Sequence, residues 1–258
     1  MTDPKRSVAA LAAGWTLAAA ALGACGGGAA PAPSALPSSM GNSTNLAVPT
    51  SVADLPLVDQ RDSPTDLAAF HGRVLVLAQF LTSCQEECPL VTGAFLTIQH
   101  DLDAAGLGGQ VALAEMTVDP DRDTSPRLAA YAAYTGASWT LLTSTAPNTD
   151  AFWHHFGIYY EKVAEDSPPG IDWETGKPYT YDVNHSNGFL VFDTAGHLRF
   201  ATGNLPNLHG QLSQPLRKLL SSNGVGNLDH PDPNQTWTVP QALQAIGAVL
   251  GRAVPAAG

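Results

Sequence analysis

The sequence has few cationic residues and few cysteines. Only 12 of its 258 residues are lysine or arginine, against 23 aspartates and glutamates, and three are cysteine. The net charge of −11 at pH 7 disfavours contact with nucleic acid and anionic lipid headgroups, and it tolerates cationic partners. The chain also lacks a basic patch, a phosphate-binding glycine loop and internal repeats. We therefore expect no nucleic-acid partner.

The apolar run near the N-terminus is short for a membrane-spanning helix. Residues 8–24 are alanine-rich and follow Lys5 and Arg6, which is typical of a secretory signal peptide. We predict that residues 1–24 are this signal. Its end, Leu22-Gly23-Ala24-Cys25, is similar to a bacterial lipobox, which predicts lipidation of Cys25. The protein would then be extracytoplasmic, anchored to the outer face of the plasma membrane; the alternative is an ordinary signal cleaved nearby.

Composition divides the rest of the chain into three parts. Residues 25–50 contain mainly Gly, Ala, Pro, Ser and Asn without charge, which predicts a flexible linker. Residues 51–223 have the composition and length of one globular domain. Residues 224–258 are predicted to be a C-terminal extension in which residues 238–252 form a helix that packs on the domain or binds a partner.

Hydrophobic patterns in the central part predict alternating strands and helices. The predicted strands cover residues 74–80, 111–118, 139–142, 189–192 and 198–201, and the predicted helices cover residues 89–107, 127–134, 149–156 and 209–220. This order indicates an α/β protein with a thioredoxin-like fold, a central mixed sheet flanked by helices.

Cys84 and Cys88 are the only cysteines of the predicted domain. They follow the apolar run 74–80 and precede Pro89 at a predicted helix start, where backbone N–H groups and the helix dipole stabilise a thiolate. Their spacing puts both sulfurs on one side of a helical turn. The pair therefore suits thiol redox chemistry, a soft metal ion or, in an oxidising compartment, a plain Cys84–Cys88 disulfide.

His185 is a candidate third ligand, and the alternative is a loop histidine with no role. It ends the long polar segment 161–187, directly before a predicted strand, and in a thioredoxin-like sheet this position passes beside the cysteines. The adjacent His154 and His155 would point about 100° apart on a helix and are not expected to share an ion. Two thiolates and one imidazole form a soft donor set that suits copper, either Cu(I) or Cu(II).

Several stretches in order resemble the Sco (SenC) proteins, which are extracytoplasmic copper-binding members of the thioredoxin superfamily. The stretches are Leu55–Asp59 with Phe70–Arg73, Thr82-x-Cys84-x3-Cys88-Pro89, Val118–Thr124, Phe156–Lys162 and Asn184-His185-Ser186. The resemblance implies an N-terminal hairpin leading into the fold, a long loop carrying the histidine, and copper ligation by Cys84, Cys88 and His185. It also implies a role in maturing the binuclear copper site of cytochrome c oxidase.

The resemblance is incomplete at three positions next to the predicted ligands. Gln85 stands where the family usually has proline, and Glu86 and Asn184 stand where it often has aspartate. Such neighbours orient ligands and tune reduction potential, so redox tuning and partner choice are open. Asp119 and Asp123, inside the second signature, are predicted to be turn and cap residues, and the alternative is that they support the ligands.

The expected partners are the oxidase subunit that carries the binuclear copper site, other copper chaperones, and the membrane through the lipid anchor. The principal alternative is an enzyme, a thioredoxin-like thiol-disulfide oxidoreductase in which Cys84 and Cys88 are the redox pair. A binding module with an inert disulfide is the third class. Copper delivery and thiol reduction are not separated by sequence, because the same two thiols serve both.

Overall fold

The computed structural model describes residues 40–257. The strands are, in chain order, β1 Asn42–Leu46, β2 Leu57–Asp59, β3 Pro64–Thr65, β4 Val74–Phe80, β5 Val111–Thr117, β6 Thr140–Thr143, β7 Tyr160–Val163, β8 Asp182–His185, β9 Phe189–Phe192, β10 Leu198–Thr202, β11 Leu205–Pro206 and β12 Thr236–Trp237. The helices are α1 Thr50–Ala53, α2 Cys88–Ala104, α3 Ser125–Thr135, α4 Ala146–His155, α5 Gln214–Arg217, α6 Ser222–Asp229 and α7 Val239–Leu250.

A mixed sheet of eight strands forms the centre of the fold. The strand order is β1-β10-β9-β4-β5-β6-β2-β3. Strand β4 is parallel to β5 and antiparallel to β9, and every residue of β4 and β5 is buried. Their near-continuous apolar sequences are those expected of central strands covered on both faces. The predicted thioredoxin-like class, a central mixed sheet flanked by helices, is confirmed.

The prediction of a flexible linker over residues 25–50 is wrong at its C-terminal end, because β1 lies within it. Strand β1 pairs antiparallel with β10 at the edge of the sheet, and the preceding Met40 is 1% exposed. The Thr202 hydroxyl donates to the Met40 carbonyl at 2.5 Å. Main-chain pairing holds this strand while its own side chains stay largely exposed. An edge strand of this kind has no apolar alternation for sequence reasoning to detect.

The residues predicted to form a C-terminal extension are part of the core. Helix α6 crosses the predicted boundary after residue 223, and α7 packs against α2, β4 and β9. Trp237 is fully buried and donates its indole N–H to the Asn204 carbonyl at 2.9 Å. Leu243 and Ile246 of α7 are also buried. The boundary is therefore wrong, and α7 packs on the domain.

Two further predictions differ from the structure. The helix predicted over 209–220 is reduced to α5, because His209 and Gly210 adopt positive φ angles of 51° and 73° and Pro215 lies in the first turn of α5. The segment 161–187 is not one irregular loop, since β7 and β8 pair at its two ends. In the N-terminal hairpin β2 pairs with β3, while residues 68–70 form a short 3₁₀ turn.

Candidate metal centre

The first two candidate ligands lie on the segment that joins β4 to α2, residues 82–88, called the Cys turn below. Cys84 is half-buried and Cys88 is 2% exposed, and both are free thiols. The backbone N–H groups of Glu87 and Cys88 point at the Cys84 sulfur, at 3.5 and 3.3 Å. These N–H groups stand at the start of α2, where the helix itself supplies no acceptor, and this is the arrangement predicted from the sequence to favour a thiolate.

The third candidate ligand, His185, is the last residue of β8. Its Nε2 atom lies 3.5 Å from the Cys88 sulfur, and its Nδ1 atom lies 2.6 Å from the Ser186 carbonyl oxygen. A carbonyl oxygen only accepts, so Nδ1 carries the proton of this hydrogen bond. The neutral ring therefore presents the lone pair of Nε2 to the sulfurs, as a metal-ligating histidine requires.

The three ligand atoms converge on one point. The Cys84 and Cys88 sulfurs and a His185 ring nitrogen all lie within 4.8 Å of one another, and no other such group occurs in residues 40–257. His154 instead contacts Asp150 at 3.4 Å on the surface. Two sulfurs and one imidazole nitrogen fit copper, whereas a structural zinc ion normally takes four protein ligands.

The surroundings of the site shift the pKa values of the two thiols in opposite directions. The Cys88 thiol donates to the Cys84 sulfur and holds the pKa of Cys84 well below its usual value, although burial opposes this and His185 assists. Burial, followed by the hydrogen bond to Cys84 and then the Cys84 charge, raises the pKa of Cys88 well above its usual value. Burial lowers the pKa of His185, but the Cys84 thiolate outweighs it and the net direction is upward. Without metal, the two shifts favour the negative charge on Cys84 and the proton on Cys88.

Asp123 anchors the Cys turn, which corrects its prediction as a cap. The Asp123 carboxylate is fully buried and accepts from the Thr82 backbone N–H at 3.0 Å, the Thr82 hydroxyl at 2.5 Å and the Thr117 hydroxyl at 2.6 Å. Arg127 donates to the Thr82 hydroxyl at 2.6 Å. The N-cap residue of α3 is Thr124, and its side chain makes no capping bond. Asp123 thus fixes the backbone two residues before Cys84.

Asp119 holds the segment that follows β7. Its carboxylate accepts from the Tyr181 hydroxyl at 2.9 and 3.1 Å and pairs with Arg122. The Arg122 guanidinium lies 3.9 Å from the centre of the Tyr181 ring and donates to the Tyr181 carbonyl at 2.9 Å. Asp119 is therefore more than a turn residue, since it ties residues 164–181 to the loop after β5.

Gln79 supports His185 and was missed by sequence reasoning. It is 2% exposed on β4 and donates to the Ser186 carbonyl at 2.9 Å, the same oxygen that accepts from His185 Nδ1. Its other amide atom, Oε1, has no hydrogen-bond partner among the described residues. The available signal was a single amide inside the otherwise apolar run 74–80. Gln79 therefore orients the imidazole through one shared carbonyl.

Two of the positions that depart from the family pattern contact other parts of this chain. The Gln85 amide donates to the Ile171 carbonyl at 3.2 Å, and the Gln85 carbonyl accepts from the Ser221 backbone N–H at 2.7 Å. The Glu86 carboxylate accepts from the Asn223 amide at 3.0 Å. These residues link the Cys turn to residues 164–181 and to the start of α6.

The fold and the site define a class: a thioredoxin-like protein with a Cys-Cys-His site for a soft metal ion. The SCO1/SenC family model matches residues 47–219, about two thirds of the chain. The chain belongs to the SCO1/SenC family, as the resemblance predicted.

Individual relatives are distant. The "Putative copper-binding protein" of Stutzerimonas stutzeri is 26% identical over 148 residues, which cover 57% of this chain and 67% of the relative. A crystal structure from Aquifex aeolicus VF5 matches with a TM-score of 0.50 and 17% identity, covering 73% of this chain and 98% of the other. Arabidopsis thaliana ScoI with copper bound matches with a TM-score of 0.49 and 19% identity, covering 58% and 86%. At such identities a structural match concerns the fold.

The predicted anchor lies outside the described residues. Residues 1–24 and Cys25 precede residue 40, where the description begins. Within residues 40–257, no helix is both long enough and apolar enough to cross a membrane. The signal peptide and the lipidation of Cys25 stay predictions.

Proposed function

We propose that this protein is an extracytoplasmic copper-binding protein that matures the binuclear copper site of cytochrome c oxidase. The observation that carries the proposal is the convergence of Cys84, Cys88 and His185 within 4.8 Å. Two sulfurs and one imidazole nitrogen suit Cu(I), and the imidazole also suits Cu(II). Membership of the SCO1/SenC family and the name of the Stutzerimonas relative support copper as the ion.

Copper would enter as cargo and displace a proton. Cys84 is ready as a thiolate, whereas Cys88 must lose its proton when the ion binds. His185 supplies the third ligand through Nε2, because Nδ1 is committed to the Ser186 carbonyl. The half-buried Cys84 is the ligand that a partner thiolate can reach first. The proposed partners are the oxidase subunit with the binuclear copper site and other copper chaperones.

The same thiols support a second candidate, thiol-disulfide exchange. The low pKa of Cys84 favours nucleophilic attack on a disulfide, and the adjacent Cys88 can resolve the mixed disulfide. Such an oxidoreductase would keep the cysteines of the client reduced, with or without copper delivery. A disulfide that is only structural fits less well, because the environment stabilises one thiolate.

The proposed location is the outer face of the bacterial plasma membrane. If Cys25 carries lipid, the wild-type protein should partition with membranes and incorporate labelled fatty acid, and Cys25→Ser should do neither. A mature wild-type chain that is free in the medium and begins at another residue would contradict the anchor.

The function is tested in bacteria that lack their own Sco protein and grow with limiting copper. The wild-type chain should restore copper to the oxidase, measured by the electron paramagnetic resonance signal of its binuclear site. Cys84→Ser with Cys88→Ser should fail, and the exposed control Asp54→Asn should succeed. Equal oxidase copper with the serine variant and with wild type would refute the proposal.

A further inference from the structure

A cavity of about 460 Å³ lies beside the Cys turn. One wall is Ser83, Gln85 and Glu86 of the Cys turn, and the others are residues 165–182 and the start of α6. We call this cavity the Cys-turn groove. The Gln85 side chain, which donates to the Ile171 carbonyl, lines the groove. Whatever occupies the groove therefore contacts residues adjacent to Cys84.

The rim of the groove is acidic. Four carboxylates line it and are partly or fully exposed: Glu86, Glu165, Asp166 and Asp182. The one cation that lines the groove, Arg122, is already paired with Asp119. The rim carboxylates do not lie close enough together to hold a metal ion. Among residues 40–257, only Cys84, Cys88 and His185 form a group of three such ligands. The rim therefore favours a cationic ligand larger than an ion.

Two residues that line the groove each carry a buried polar atom without a hydrogen-bond partner among the described residues. Ser83 is 5% exposed, and its hydroxyl has no hydrogen bond to any described residue. The same holds for Nη2 of Arg122. Buried polar groups are normally paired with a hydrogen-bond partner. A ligand that has both a donor for the Ser83 oxygen and an acceptor for the Arg122 N–H would pair both atoms. A peptide main chain does so, with its N–H for the Ser83 oxygen and its C=O for Arg122.

We propose that the Cys-turn groove docks a lysine- or arginine-bearing segment of the protein that exchanges copper with Cys84. This inference rests on the proposed function, which makes Cys84 a transfer ligand. The peptide main chain meets Ser83 and Arg122, and its cationic side chains meet the acidic rim. A second copy of this chain is the less suitable occupant, because its net charge of −11 has the same sign as the rim.

The test measures binding of short fluorescein-labelled peptides to the reduced, metal-free protein by fluorescence anisotropy. One peptide is rich in lysine, and its matched control has glutamate at the same positions; neither contains cysteine. The lysine peptide should bind and the glutamate peptide should not. Binding should weaken as salt is added, because the rim carboxylates are exposed to solvent.

Charge variants locate the binding. Glu165→Gln with Asp166→Asn removes two charges from the rim. In the wild type the Gly170 N–H donates to the Glu165 carboxylate at 2.9 Å, and the glutamine amide oxygen would still accept this hydrogen bond. This variant should weaken the lysine peptide about fivefold. Asp54→Asn with Asp103→Asn removes the same charge away from the groove and should have less than half that effect. Equal losses in the two double variants would overturn the proposal.

Ser83→Ala is a second, uncharged test, and it should also weaken the lysine peptide. Copper uptake by the same preparations separates the two proposals. Normal copper uptake together with equal binding of both peptides would overturn the docking inference alone. Absence of copper uptake by the wild type would refute the proposed function, whatever the peptides do.

Discussion

The two regions that supply the candidate ligands are held in different ways. The Cys turn is fixed from inside, by the buried Asp123 carboxylate with its three hydrogen bonds to Thr82 and Thr117. The β7–β8 hairpin that carries His185 has exposed side chains such as Glu161 and Asp182, and it contacts the core through the buried Val183 side chain and the Ser186 carbonyl. The site thus combines a thiol pair fixed by the core with a histidine held by a surface hairpin. We expect disturbance of the core to affect the thiols, and disturbance of the hairpin to affect chiefly the third ligand.

The largest expected effect comes from removing either thiolate. Cys84→Ser or Cys88→Ser should lower Cu(I) affinity by more than about a hundredfold. Loss of a group that only supports a ligand already lowers metal affinity about 10–100-fold, and loss of a ligand should cost more. The measurement is competition with a Cu(I) chelator under anaerobic conditions. Copper uptake equal to wild type in the double serine variant would remove the Cys turn from the site.

Removing the internal anchor of the Cys turn should cost the most stability. Asp123→Ala leaves the Thr82 and Thr117 hydroxyls and the Thr82 N–H without their buried acceptor, and should destabilise the protein by about 3–5 kcal/mol. On the hairpin, Glu161→Ala should change stability by less than about 0.5 kcal/mol. Urea unfolding of both variants checks this contrast. Similar costs for the two changes would show that the regions do not differ as described.

The buried carboxyl group of Glu115, which contacts Thr92 of α2, should make stability depend on pH. Burial raises the pKa of Glu115 to about 7, although the Thr92 hydroxyl and the Trp139 indole N–H, each at 2.9 Å, oppose this. Because this pKa exceeds the unfolded value, Glu115 favours folding below about pH 4.5, and this contribution of about 3 kcal/mol is lost as pH rises through 7.

Glu115→Gln should therefore flatten the pH dependence of the unfolding free energy between about pH 4.5 and pH 7, the interval between the unfolded and folded pKa of Glu115. Glu161→Gln, on the hairpin, is the matched control and should leave the wild-type dependence in place. Urea unfolding of the reduced, metal-free proteins gives both curves. An unchanged slope in Glu115→Gln would mean that Glu115 does not titrate in this range.

The smallest expected effect comes from Gln79→Leu, which tests whether the core orients the His185 ring. Gln79→Leu removes the donor to the Ser186 carbonyl and should weaken Cu(II) about tenfold while leaving Cu(I) nearly unchanged. The Cu(II) paramagnetic resonance spectrum should shift, because the imidazole is no longer held in one orientation. An identical spectrum and identical affinity would mean that the hairpin orients His185 without the core.

Sequence reasoning located the parts of the molecule that depend on local pattern. Strand β4 was predicted with its observed bounds, because an apolar run between polar segments marks a central strand. The candidate site was predictable because two cysteines at a helix start suit redox chemistry or a soft metal ion, and the resemblance added His185 as the third candidate ligand. Asp123 and Gln79 were not, since their roles depend on partners 41 and 107 residues away in the chain. Strand β1 was missed because main-chain pairing carries no side-chain pattern.

The most direct test of the central claim is a pair of anaerobic copper titrations of the reduced protein, wild type beside His185→Ala. The wild type should bind about one copper per chain, because three ligand atoms converge on one point. His185→Ala should lose most of its Cu(II) affinity and much less of its Cu(I) affinity, since two thiolates alone can hold Cu(I). Equal affinities of the two proteins for both ions would contradict a Cys-Cys-His copper site and favour thiol-disulfide exchange.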